Sequence, residues 1–234
     1  SAALLTAELY KEAGLPDGLF NVIAGDRHLV TDILTHPGID AISFVGSTPV
    51  AHIVQDTGVA HGKRVQALGG ANNHAIVMPD ADIEFAAQHI SAGAFGAAGQ
   101  RCMALPVIVT VGGVEEKLVP AIKARAEKIV VGPGTDPASE MGPVITRSSQ
   151  ERITKWIDEA EAKGANIVLD GRGYRPEGEE YADGFWLAPT IIDGVDRNLS
   201  VYCEEVFGPV LVVVHADTYE EAIEIVNSSE FGNG

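Results

Sequence analysis

The chain has 234 residues, 46% of them hydrophobic and 21% charged, with 26 glycines, 12 prolines and a formal charge of −17 at pH 7. That is ample for a packed core in one large or two modest domains, and the acidic balance argues against nucleic acid or an anionic membrane as partner. No apolar run reaches the length of a membrane span, no signal peptide is visible, and two cysteines make no disulfide framework, so a cytoplasmic setting is expected.

In chain order, Ala2 to Ala13 is predicted to be a helix stopped by Gly14, and Leu19 to Ile23 a short apolar strand. Asp26 is expected to cap a helix to Thr35, and Ala41 to Val45 to form a buried strand. Gly46-Ser47-Thr48-Pro49 then opens a helix reaching about Val59, with the proline in its first turn. Strands at Val65 to Leu68 and Ala75 to Met78 flank Gly69-Gly70, where a domain boundary is expected, dividing the chain into 1–71 and 72–234. Beyond it the pattern predicts a helix from Ile83 to Ala98, a strand from Pro106 to Val111, and helices over Glu115 to Lys128 and Ser148 to Lys163. Strands near Ile167 to Leu169, Leu187 to Ile192 and Val210 to Val214 and a helix from Tyr219 to Asn227 complete it. Strands alternating with helices at this spacing imply an α/β fold with parallel sheets and flanking helices. The start at Ser1 and the turn-like stop at Glu230 to Gly234 point to a fragment of a longer protein.

Three stretches carry candidate chemistry. Cys102 follows Phe95-Gly96-Ala97-Ala98-Gly99-Gln100-Arg101, whose small residues would leave room beside a sulfur and whose arginine would bias it toward the thiolate. A cysteine packed as a small hydrophobe fits the same residues. At Ser43 to Thr48 a glycine turn and two hydroxyls stand at a helix N-terminus, which suits a phosphate or is an ordinary cap. Cys203-Glu204-Glu205-Val206-Phe207-Gly208-Pro209 joins carboxylates able to hold a ribose diol to an aromatic able to press on a flat ring, or is a charged loop entering a strand. Cys203 itself, beside two carboxylates, is the poorer nucleophile. The histidines show no metal-ligand spacing, and no metal site is expected.

Taken together and in order, Phe44 to Thr48, Leu68-Gly69-Gly70, Gln100-Arg101-Cys102, Gly184 to Thr190 and Glu204 to Pro209 resemble the NAD(P)-dependent aldehyde dehydrogenases over essentially the whole chain. The resemblance implies that residues 1–71 are the C-terminal part of an NAD-binding domain, incomplete here, and 72–234 a catalytic domain lacking its C-terminal end. It implies that Cys102 attacks the aldehyde and passes a hydride to NAD, leaving a thioester. Gly46 and Ser47 would lie beside the pyrophosphate, Leu68 and Gly69 against the nicotinamide, Glu205 on its ribose and Phe207 at its ring. The Cys102 N–H would be one oxyanion donor. A homodimer or homotetramer would be usual.

One departure sets the subtype. Hydrolytic members carry glutamate immediately before Leu-Gly-Gly; here that residue is Ala67. Without a base, water attack on the thioester slows by about 10²–10⁴-fold, so coenzyme A is expected as co-substrate. Asn73-His74, Val77 to Ala81, Glu140 to Thr146 and Asp170 to Gly173 resemble the CoA-acylating, methylmalonate-semialdehyde branch of the family. That branch oxidises malonate or methylmalonate semialdehyde to acetyl-CoA or propanoyl-CoA with loss of CO₂, and Arg101 would hold the substrate carboxylate in a paired contact, or else be a surface or structural cation that only biases Cys102. The competing expectations are a hydrolytic enzyme for another small aldehyde, and an inactive truncated relative that only binds a nucleotide. The fragment alone is expected to be nearly inactive.

Overall fold

The structure, a computed structural model, describes residues 2–234. The chain divides into two compact units, 1–69 and 70–234. The first contains α1 (Ala2–Glu12), α2 (Arg27–Thr35), β1 (Ala41–Val45), α3 (Thr48–Ala60) and β2 (Arg64–Leu68). Asp26 caps α2 by accepting the His28 N–H at 2.9 Å. Strands β1 and β2 are parallel, in register from Ala41 opposite Arg64 to Val45 opposite Leu68. Lys63, buried before β2, donates its ammonium to the carbonyls of His36 and Ile39 just beyond the end of α2, the negative end of that helix.

Two expectations fail here. Leu19 to Ile23 is turn and irregular chain. The segment pairs with neither of the two strands described in this unit. Phe20 instead meets Tyr10 of α1 edge-on, with ring centroids 5.1 Å apart. Strand β1 forms where predicted but is not buried: exposed and half-buried residues alternate along it.

The second unit holds β3 (His74–Val77), α4 (Ile83–Phe95), β4 (Val107–Val111), α5 (Glu115–Ala126), α6 (Arg147–Ala162), β5 (Asn166–Leu169), β6 (Thr190–Asp193), α7 (Ser200–Cys203), β7 (Val210–Ala216) and α8 (Tyr219–Asn227). Its sheet runs β3-β4-β7-β6-β5. All neighbours are parallel except β5, which pairs antiparallel with β6 at the edge. The parallel expectation therefore fails for one strand, of a kind that open sheets often carry at an edge. Every residue of β4 is buried, as befits a strand covered on both faces. Helices α4 and α5 pack on each other, and α8 on β4 and β7. On α6 the spacing Ile153, Ile157, Ala160 makes one fully buried stripe, each isoleucine contributing about 1.5–3 kcal/mol. Strand β6 starts later than predicted, since the Ala188 N–H is taken by Gly171 and Pro189 has none. The short α7 and a 3₁₀ turn at Glu179–Tyr181 are not evident in the sequence pattern. Among the described residues no helix is long and apolar enough to cross a membrane.

Arg172 clips the end of β5 to α6. Its guanidinium holds Asp170 through two nitrogens at 2.6–3.1 Å, Asp158 at 2.5 Å and Glu161 at 2.7 Å. The side-chain bonds from Arg172 keep the Asp170 carboxyl below its ordinary range. Because that pKa is depressed on folding, its share of stability is present above about pH 4 and is lost as the pH falls further. Arg172→Gln leaves three carboxylates facing one another and is expected to destabilise the fold by about 1–2 kcal/mol at low salt, and by less in molar salt. Paired urea titrations at the two ionic strengths check this.

Candidate active site

Helix α4 stops at Phe95, three residues short of the predicted end, because the next residues turn left-handed. Gly99 has φ +65°, while Ala97 and Ala98 stand at +53° and +52°, a conformation costing alanine about 1–2 kcal/mol each. Bonds on both sides hold this strained turn. The Gln100 side chain accepts from the Ile145 N–H at 2.8 Å and donates to the Pro143 carbonyl at 3.3 Å. Arg101 donates from Nη2 to the carbonyls of Ala92 and Gly93 at 2.9 and 3.0 Å, a cation on the last turn of α4. The Ala104 N–H closes a turn onto the Arg101 carbonyl at 3.0 Å. Cys102 lies on this turn, exposed and in no disulfide.

Two of the small residues have packing roles of their own. Gly96 makes room for the Arg101 guanidinium, and a Cβ there would stand 2.8 Å from Nη2. Gly99 brings the turn against the Gly208 carbonyl, where a Cβ would collide. Arg101, with Nη2 engaged on two carbonyls, has no paired fork to offer a carboxylate, because either fork of a guanidinium uses that nitrogen. Single contacts from Nε or Nη1 are what this conformation allows.

The second arm of the site follows α7. Glu205 is half-buried and accepts the Ala71 N–H at 3.0 Å on Oε1. Burial pushes its carboxyl above the ordinary range, against the pull of that N–H and of Arg152. Arg152, from α6, donates to the Val206 carbonyl at 2.9 Å and lies over the Trp156 ring, 4.5 Å from its centroid. Phe207, partly exposed, has φ +49°, so the chain doubles back before Gly208 and Pro209 enter β7. Cys203 donates its thiol to the Arg197 carbonyl, and burial together with the charges of Glu204, Glu230 and Asp196 pushes its pKa up.

Four residues at the start of β3 bind both arms. Besides the Ala71 bond to Glu205, buried Asn72 donates to the Tyr202 carbonyl at 2.6 Å. Buried Asn73 donates to the carbonyls of Cys102 and Ala104 at 2.9 and 2.6 Å. His74 stands edge-on to Tyr202, its Nε2 3.2 Å from the hydroxyl and its Nδ1 2.8 Å from the Asn72 carbonyl. Burial lowers the His74 pKa, so the neutral ring accepts the Tyr202 hydroxyl at Nε2 and donates from Nδ1. Asn72 and Arg152 are not among the residues that the sequence singles out, and Asn73 is so only through a resemblance. Adjacent asparagines between Gly-Gly and a strand are the available signal, since amides placed where a strand enters a core must find partners.

The remaining candidates, Gly46, Ser47, Leu68 and Gly69, belong to the first unit, where they gather at the C-terminal ends of β1 and β2. The Gly46 N–H donates to the Leu68 carbonyl at 3.0 Å. Gly69 packs on Thr48, where a Cβ would stand 3.0 Å from the hydroxyl. Ser47 is the N-cap of α3 with Pro49 in the first turn, and its hydroxyl makes no capping bond. Ala67 is half-buried on β2 opposite Phe44.

The family model for the aldehyde dehydrogenase family matches residues 1–234. A malonate-semialdehyde dehydrogenase from Pseudomonas aeruginosa is 47% identical, aligned over all of this chain and 47% of its own length. The bovine mitochondrial methylmalonate-semialdehyde/malonate-semialdehyde dehydrogenase, designated acylating, is 46% identical over all of this chain and 43% of its own. A solved structure from Sinorhizobium meliloti 1021, complexed with NAD, superposes with a TM-score of 0.95 at 44% identity, covering 99% of this chain and 47% of that one. The chain thus spans about half the length of the curated relatives it matches. By the family match along its whole length and by the α/β fold it shares with these structures, the chain belongs to the aldehyde dehydrogenase family.

Proposed function

We propose that the whole protein carrying this chain oxidises malonate or methylmalonate semialdehyde with NAD and releases the product as a coenzyme A thioester. The observation that carries the reading is the exposed Cys102 thiol on a strained, multiply held turn beside the Glu205 to Pro209 arm. The Cys102 sulfur adds to the aldehyde carbon, and the oxygen that gains charge is met by the Cys102 N–H. Hydride acceptance is the chemistry that NAD would supply when bound. The residues present suit that group: Glu205 is anchored on one oxygen by Ala71, which leaves the other to face a ribose diol, and Phe207 is partly exposed beside it. Gly46, Ser47, Leu68 and Gly69 supply backbone room for the pyrophosphate and nicotinamide. Arg101 holds the substrate carboxylate by a single charge-assisted bond rather than a fork.

The acyl group then leaves Cys102 for the thiol of coenzyme A: a new C–S bond forms, the old one breaks, and the proton returns to Cys102. Breaking of the carbon–carboxylate bond releases CO₂ and leaves its electron pair on the α-carbon, which takes a proton from water to yield acetyl-CoA or propanoyl-CoA. Ala67 supports this route, because a methyl group accepts no proton from water. The names of the two curated relatives and the NAD complex agree with it. The test is NADH formation from malonate semialdehyde by the whole protein with and without coenzyme A. Turnover at least about 100-fold faster with coenzyme A, ending in acetyl-CoA, is expected; equal turnover releasing a free acid would establish a hydrolytic enzyme instead.

A further inference from the structure

We infer that Asn73 and Asn233 are positioning residues that together fix the peptide following the nucleophile. Both carboxamides donate from Nδ2 to the carbonyl of Cys102 at 2.9 Å, which fills its two lone pairs. Each spends its second N–H nearby: Asn73 on the Ala104 carbonyl at 2.6 Å, Asn233 on the Met103 sulfur at 3.1 Å. The preceding peptide is held too, since the Arg101 carbonyl accepts from Ala104. Because a peptide is planar, fixing the Arg101 carbonyl also fixes the Cys102 N–H on the opposite side. Cys102 therefore sits between two held peptide planes, and neither its Cα nor its N–H can swing without breaking one of these hydrogen bonds.

The orientation of Asn73 is not arbitrary. Turning its amide over would aim oxygen at two carbonyls, and the present arrangement instead leaves Oδ1 buried without a partner. An orphaned buried acceptor costs about 1–3 kcal/mol. The side chain retains that cost while both of its donors serve the Cys102 turn. Asn233, exposed and far along the chain, reinforces the same carbonyl from the solvent side.

The inference rests on Cys102 being the nucleophile, and the experiment separates the two. In the whole protein, Asn233→Ala and Asn73→Leu are compared with the parent and with Cys102→Ala, reading kcat, the KM for NAD and the thermal midpoint. Asn233→Ala should lower kcat about 5- to 10-fold and Asn73→Leu about 30-fold or more, with the KM for NAD unchanged within about twofold. Asn233 is exposed, so its variant folds even if the Asn73 variant does not. Unchanged kcat in the Asn233 variant, or a fall in midpoint with kcat per folded molecule intact, overturns the clamp. If Cys102→Ala retains parental turnover, the nucleophile assignment falls and the clamp with it. A dead Cys102→Ala beside an unaffected Asn233→Ala removes the clamp alone.

Discussion

Cys102→Ala in the whole protein is expected to lower NADH formation by about 10⁴-fold or more, the scale on which loss of a covalent nucleophile acts. Fold and cofactor binding should survive, because the thiol is exposed and removing its sulfur empties no core. Cys203→Ala should leave turnover within about twofold. Its thiol is held on the Arg197 carbonyl and kept protonated by burial and three neighbouring carboxylates. Initial-rate assays on the two variants, with NAD binding followed by quenching of protein fluorescence, test the assignment from both sides. Parental activity in Cys102→Ala would move the chemistry elsewhere.

Gly99→Ala is expected to be the most damaging change that adds only a methyl group. Two penalties combine at this position. The residue is left-handed, and the new Cβ would enter the Gly208 carbonyl, a backbone atom with no rotamer to escape into. Either the Cys102 turn or the Glu205 to Pro209 arm must move, and a displacement of about 1 Å costs on the order of 10²-fold in rate. We expect kcat to fall by at least that factor and stability by about 2–4 kcal/mol. Gly164→Ala is the control. It is equally left-handed at φ +93°, but a Cβ there meets nothing within 4 Å. It should cost about 1 kcal/mol and leave kcat unchanged. Similar losses in both variants, read by urea titration and initial rates, would show that strain rather than contact between the arms is responsible.

Where the sequence can be read and where it cannot follows from the range of the forces involved. Helices α2, α4 and α6 begin where Asp26, Asp82 and Thr146 place a capping oxygen, and the stripe Ile153, Ile157, Ala160 declares the face α6 buries. These are local rules. The failures are non-local. Leu19 to Ile23 has the composition of a strand but pairs with no described strand, and β1 has a buried pattern yet exposed residues along it, since pairing and covering depend on residues far away in the chain. The left-handed step at Ala97 and Ala98 ends α4 early although alanine favours helix, because bonds from Arg101, Gln100 and the Gly208 contact outweigh that preference. Cys102, Glu205 and Phe207 stand out in the sequence by residue type. Asn72, Asn73 and Arg152 do not, since their roles consist of contacts with residues 29 to 130 positions away.

Among the described residues strand β3 pairs only with β4, and the residues leading into it carry the ties made by Ala71 to His74. Both arms of the site are therefore suspended from one hinge post. If that post pulls away from β4, the nucleophile turn and the carboxylate arm lose a shared anchor together and are left to the separate bonds of Gln100, Arg101 and Arg152. Warming that frees this post would then loosen both arms at the same temperature.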